Sequence, residues 1–161
     1  MGEIIKVGMA DLKVCLCPDA LTTLGLGSCI GIAIRDPVSK VGGLAHIMLP
    51  DSMAIRNNTS IFKFADTGIE ELVRQMVAKG AIRSRMVAKI AGGAQMFAVS
   101  SKLDTVRVGE KNAIASKKKL MELKIPLLAE DTGKNYGRTV IFYPESGEFL
   151  IRAVGRNEYT I

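Results

Sequence analysis

The 161-residue sequence contains no tryptophan, and aromatic residues make up only 5% of it. A surface that holds bases by stacking them on aromatic platforms is therefore not expected. No apolar stretch reaches the roughly 18 residues a membrane-spanning helix needs, so an integral membrane protein is not expected either. The segment Met1-Gly2-Glu3-Ile4-Ile5-Lys6 has no basic region leading into a long apolar run, which argues against a secretion signal. Histidine occurs once and cysteine three times. One imidazole and a lone Cys15-x-Cys17 do not make a four-ligand set, so no metal and no other cofactor is expected. An odd number of thiols without an export signal points to a reducing, cytoplasmic location with free cysteines.

What is present is globular in balance: 48% hydrophobic and 24% charged residues, with a formal charge of +6. That charge favours acidic partners in general, through long-range attraction. The one dense basic run, Lys117-Lys118-Lys119, lies in a predicted helix and reads as a solvated face, so no nucleic-acid partner is expected. The length suits one domain over residues 1–161, and no Pro/Gly/Ser-rich linker divides it.

Short apolar, often β-branched runs predict strands at Ile4–Met9, Asp11–Cys15, Leu21–Leu26, Cys29–Arg35 and Val41–Leu49. Asp36-Pro37 reads as a turn that folds the last two into a hairpin. Met53 to Ser60 reads as a polar loop containing Arg56-Asn57-Asn58. A helix is predicted from about Ile61 to Lys79, because Phe62, Ala65, Ile69, Leu72, Val73 and Met76 recur on one face. Further strands are predicted at Met86–Ile90, Leu127–Ala129, Thr139–Tyr143 and Phe149–Val154, with a second helix over about Glu110 to Leu123. Pro144-Glu145-Ser146-Gly147 supplies the turn between the last two strands. The pattern predicts an α/β (α+β-like) layered sandwich: a mixed, largely antiparallel sheet flanked by two or three helices.

Two residues stand out chemically. Cys29 ends the glycine-rich run Thr22-Thr23-Leu24-Gly25-Leu26-Gly27-Ser28-Cys29, and His46 ends Val41-Gly42-Gly43-Leu44-Ala45-His46. A hairpin centred between Pro37 and Val38 would set the two at one level of neighbouring strands. An imidazole can take the thiol proton and later return it to a leaving amine. The hydroxyls of Thr22, Thr23 and Ser28 are close by to orient that imidazole. Glycines allow a sharp turn and close substrate approach, and backbone N–H groups around Gly27, Ser28 and Cys29 could face a developing oxyanion. The chemistry implied is acyl transfer on an amide, ester or thioester. Taken singly, a buried cysteine acts more often as a small hydrophobe.

In order along the chain come Thr23-Leu24-Gly25-Leu26-Gly27-Ser28-Cys29, Ala45-His46-Ile47-Met48-Leu49-Pro50, Lys63-Phe64-Ala65-Asp66, Lys89-Ile90-Ala91-Gly92-Gly93-Ala94 and Leu128-Ala129-Glu130-Asp131-Thr132-Gly133. This series resembles the bacterial chemoreceptor glutamine deamidases, the CheD family. The resemblance implies hydrolysis of particular glutamine side chains on methyl-accepting chemotaxis receptors, giving glutamate and ammonia. It implies a Cys-His-Thr triad at Cys29, His46 and Thr23, a fold related to bacterial toxin deamidases, and a second partner, the CheC-type response-regulator phosphatase. Phe64, Lys134 and the Lys111 of Glu110-Lys111-Asn112 depart from the family pattern and leave those three positions alone. The alternatives are a receptor glutamyl methylesterase, a noncatalytic adaptor that binds receptor and phosphatase, and a basic nucleic-acid binder.

Overall fold

A computed structural model describes residues 2–54, 60–96 and 107–161. Within them lie ten strands and two α-helices in two five-stranded mixed sheets. The first sheet runs in the order β1 (Ile4–Lys6), β3 (Ala20–Leu26), β8 (Arg138–Tyr143), β9 (Glu148–Arg152) and β10 (Tyr159–Thr160). The second runs β2 (Asp11–Cys15), β5 (Gly42–Ile47), β4 (Ile30–Arg35), β6 (Val87–Gly92) and β7 (Leu127–Thr132). The expected α/β layered sandwich is what the chain forms, with two sheets rather than one.

The alternation of β4 explains the layering. Ile30, Ile32 and Ile34 face α1 (Ala65–Ala78) and α2 (Val108–Glu122), in a core shared with Ile69, Leu72 and Met76. Cys29 and Ala33 point the other way, into the layer between the sheets with Leu21, Leu26, Val140 and Phe142. β5 alternates in step, with Ala45 and Ile47 toward the helices and Leu44 toward the first sheet. Each fully buried Ile, Leu or Phe contributes about 1.5–3 kcal/mol, so both faces of the second sheet are held strongly. Among the described residues no helix is long and apolar enough to cross a membrane.

Three local readings need correction. The β4–β5 hairpin forms, but its register centres between Val38 and Ser39, with Arg35 opposite Gly42 and Gly31 opposite His46. The first helix begins at Ala65; Ile61–Lys63 form a separate 3-10 turn, and Phe64 between them is extended (φ −109°, ψ 147°). Lys63 O accepts from Met48 N (2.8 Å) and Leu49 N (3.1 Å), tying that turn to the end of β5. The strand predicted at Cys29 begins at Ile30, and residues 27–29 form a bend. Most of the predicted polar loop, including Arg56-Asn57-Asn58, lies outside the described residues.

Candidate active site

Thr23, on β3, belongs to the first sheet; His46, on β5, belongs to the second. Their side chains meet between the sheets, where Thr23 Oγ1 lies 2.7 Å from His46 Nδ1. The same hydroxyl donates to the carbonyl of Val7 at 2.7 Å. A hydroxyl has one proton. With that proton given to Val7, Thr23 Oγ1 accepts from His46, so Nδ1 carries the hydrogen. The other ring nitrogen, Nε2, is then an unprotonated base, and it is buried without a hydrogen-bond partner among the described residues.

Cys29 stands on the same inter-sheet face. It lies two residues before Gly31, the residue opposite His46. Along a regular ladder such diagonal neighbours are about 7–8 Å apart at Cα and within reach of long side chains. Gly31 has no side chain of its own on this face; a Cβ placed there would sit 3.1 Å from Leu26 Cδ1 and 3.8 Å from Thr23 Cγ2. The predicted meeting of the two strands therefore holds in face, with Cys29 diagonal to His46 rather than directly opposite.

The bend that carries Cys29 is held by backbone bonds from the end of β6. Gly93 N donates to Cys29 O and Ala94 N to Gly27 O, both at 2.8 Å. Gly92 makes this approach possible: its φ is +112°, and a Cβ there would overlap the Cys29 carbonyl oxygen. On the other flank Gly25, at φ +71°, accompanies the register shift of β3 between Thr23 and Leu26. Gly27 N–H is spent on Gly25 O (3.0 Å), which removes it as an oxyanion donor. The N–H groups of Ser28 and Cys29 have no acceptor on another residue among the described residues.

The electrostatics follow from burial. Cys29 is 7% exposed, His46 1% and Thr23 0%. Burial pushes the Cys29 thiol above its usual value, partly offset by its own backbone N–H. Burial pushes His46 down. Both shifts favour the neutral pair, an unprotonated imidazole beside a protonated thiol.

Sequence reasoning missed three supports. Val7 acts through its carbonyl, which no residue type signals. Arg138, 2% exposed, bonds Asp131 (3.1 Å) and Gly133 O (3.0 Å) beside the Gly92 turn. Asn112 is fully buried on α2, and an amide on a helix face shared with Ala113, Ser116 and Leu120 was the signal available. Cys15 is buried in the inter-sheet core and Cys17 is exposed.

Thr23→Val keeps the shape of Thr23 and removes the oxygen that orients His46. The expected result is a fall in turnover of about 10²-fold, whereas Thr23→Ser retains most of it. Turnover by both variants at saturating substrate checks this, and wild-type rates for Thr23→Val would remove Thr23 from the site.

The family model described as CheD chemotactic sensory transduction matches residues 48–153. Full-length relatives extend the match across Thr23, Cys29 and His46. A protein of Lachnoclostridium phytofermentans named "Probable chemoreceptor glutamine deamidase CheD" is 63% identical over the whole of both chains. One of the same name from Caldanaerobacter subterraneus subsp. tengcongensis is 53% identical over 96% of this chain and 95% of its own. The "Chemoreceptor glutamine deamidase CheD" of Halalkalibacterium halodurans is 48% identical over the full length of both. By both the family model and these relatives, the chain belongs to the CheD family.

Proposed function

We propose that this protein hydrolyses the side-chain amides of glutamines on methyl-accepting chemotaxis receptors, acting in the cytoplasm through Cys29, His46 and Thr23. The observation that carries the reading is the Thr23–His46 bond, which leaves an unpartnered Nε2 lone pair on the face shared with Cys29. The names borne by its relatives supply the substrate class. Both sheets contribute side chains to the site, so we take residues 1–161 as one catalytic domain. The CheC-type phosphatase is proposed as a second partner, from the family resemblance alone.

In the mechanism, the Cys29 proton passes to His46 Nε2 as Sγ bonds to the carboxamide carbon. The oxygen becomes an oxyanion and is met by the N–H groups of Ser28 and Cys29; one such donor is worth about 3–4 kcal/mol of barrier. His46 returns its proton to the nitrogen, the C–N bond breaks, and ammonia leaves a thioester. Water then attacks with Nε2 as base, the C–S bond breaks, glutamate forms, and Nε2 returns the proton to sulfur to regenerate the thiol.

The test uses a purified receptor cytoplasmic fragment, followed by ammonia release and peptide mass spectrometry. One ammonia per glutamine converted to glutamate is expected. Methanol from methylated receptor without ammonia would instead establish a methylesterase. Binding without either product would establish an adaptor.

A further inference from the structure

The bend that carries Cys29 is held from a third direction, by an element that contributes nothing to the triad. Asn112 of α2 donates through Nδ2 to Ser28 O and to Met48 O, each at 2.9 Å. Both neighbours are acceptors, so the orientation of the amide is settled: its two hydrogens are used, and Oδ1 is left buried without a partner among the described residues. These two carbonyls are not an arbitrary pair. Ile30 opposite Ile47 is the last rung of the β4–β5 ladder. Ser28 and Met48 flank the point beyond it where the strands part, one next to Cys29 and the other two residues past His46. One side chain thus spans the strand carrying the imidazole and the bend carrying the thiol.

Peptide geometry gives the Ser28 bond a second consequence. The carbonyl of Ser28 and the N–H of Cys29 belong to one planar trans unit and point in opposite directions. With that carbonyl drawn toward α2, the Cys29 N–H is turned away from the helix layer. That is the side of the second sheet on which the Cys29 side chain packs against the first sheet.

We propose that Asn112 is a positioning residue, whose side-chain amide aims the Cys29 N–H at the reacting carbonyl oxygen and holds Cys29 in place against His46. The proposal rests on Cys29 being the nucleophile. It makes no claim that Asn112 touches substrate.

The test compares Asn112→Ala and Asn112→Ser with Leu120→Ala in the full chain. Leu120 is a core residue of the same helix, 1% exposed, with no bond to the bend, so its variant measures what loosening α2 does by itself. Rates are taken per folded molecule, from circular dichroism, on a receptor cytoplasmic fragment. Alkylation of Cys29 by iodoacetamide is followed separately by peptide mass spectrometry. The expected result for Asn112→Ala is a kcat about 10²-fold lower at a KM within about twofold, with slower alkylation of Cys29. Asn112→Ser should fall between it and the wild type. Leu120→Ala should keep the wild-type kcat and alkylation rate.

Wild-type kcat in Asn112→Ala would overturn the proposal. So would an equal loss in Leu120→Ala, or failure of both Asn112 variants to fold, because each makes Asn112 merely structural. Cys29→Ala separates the two levels of inference. If it is inactive while Asn112→Ala is normal, only the positioning role fails; if it is active, the thiol mechanism fails with it.

Discussion

Cys29→Ala is expected to abolish glutamine deamidation, with turnover falling about 10⁴- to 10⁶-fold. The size follows from how the parts depend on one another. Without sulfur no thioester forms, and the His46 Nε2 lone pair has no nucleophile to deprotonate. What survives is the modest help that two backbone N–H groups give to direct attack by water. Cys29→Ser should be nearly as poor, because a serine hydroxyl is a much weaker acid than a thiol and the imidazole here is made less basic by burial. Since Cys29 is 7% exposed and alanine is smaller, the folded state should persist, at a cost of about 1 kcal/mol. Ammonia release from the receptor fragment, beside a thermal melt of each variant, checks both halves. Activity within tenfold of wild type in Cys29→Ala would refute the thiol mechanism.

The second large effect concerns stability. Asp36 closes the β4–β5 hairpin and is fully buried. Its carboxylate accepts from Val38 N (2.9 Å), Ser39 N (3.3 Å) and Ile82 N (2.8 Å), and pairs with Arg85 through Nη2 (2.7 Å) and Nε (3.0 Å). Burial alone would raise its pKa; the guanidinium and the three N–H groups together hold it well below the usual carboxylate range. Asp36→Ala leaves Ile82 N–H and the half-buried Arg85 without their acceptor, so unfolding free energy should drop by about 3 kcal/mol near neutral pH. The folded pKa is depressed, so this stabilisation is complete above the unfolded value of about 3.9. It is lost as pH falls through the folded one. Urea titrations at neutral pH and near pH 3 should therefore show a gap between wild type and Asp36→Ala that narrows in acid. A gap that stays constant with pH would show that packing, not the carboxylate charge, stabilises the turn.

Faces were easier to read from the sequence than registers. Alternation set which residues of β4 and β5 share a side, and that was enough to group Cys29 with His46. The register missed because Lys40 adopts φ +64° and lengthens the turn past Ser39, a conformation its residue type does not announce. The displacement was two residues, which preserves the face; one residue would have turned His46 toward the helices. The first helix was overextended because Phe62, Ala65 and Ile69 keep helical spacing across the extended Phe64. Long-range backbone bonds end that pattern: Met48 N and Leu49 N donate to Lys63 O, and Ala65 N donates to Leu49 O. β10 is two exposed residues and carries no burial signal. Thr23 was nameable from its place beside the glycines and from the family pattern, whereas its bond to Val7 was not. Asn112 and Arg138 take their meaning from carbonyls far away in sequence.

Thr23 sits on a strand whose neighbour β8 lies more than a hundred residues downstream, with Thr23 opposite Val140 and Thr22 Oγ1 bonded to Val140 O at 2.7 Å. During synthesis the thiol and the imidazole emerge early, when the strand that seats the threonine has only β1 beside it and its β8 edge is still open. The layer that covers Cys29 and His46 is complete only once Val140 and Phe142, in the last third of the chain, have joined it. On the proposed mechanism, a fragment that ends before β8 is expected to release no ammonia from receptor glutamines. On that mechanism, completing the first sheet is the step that would arm the thiol.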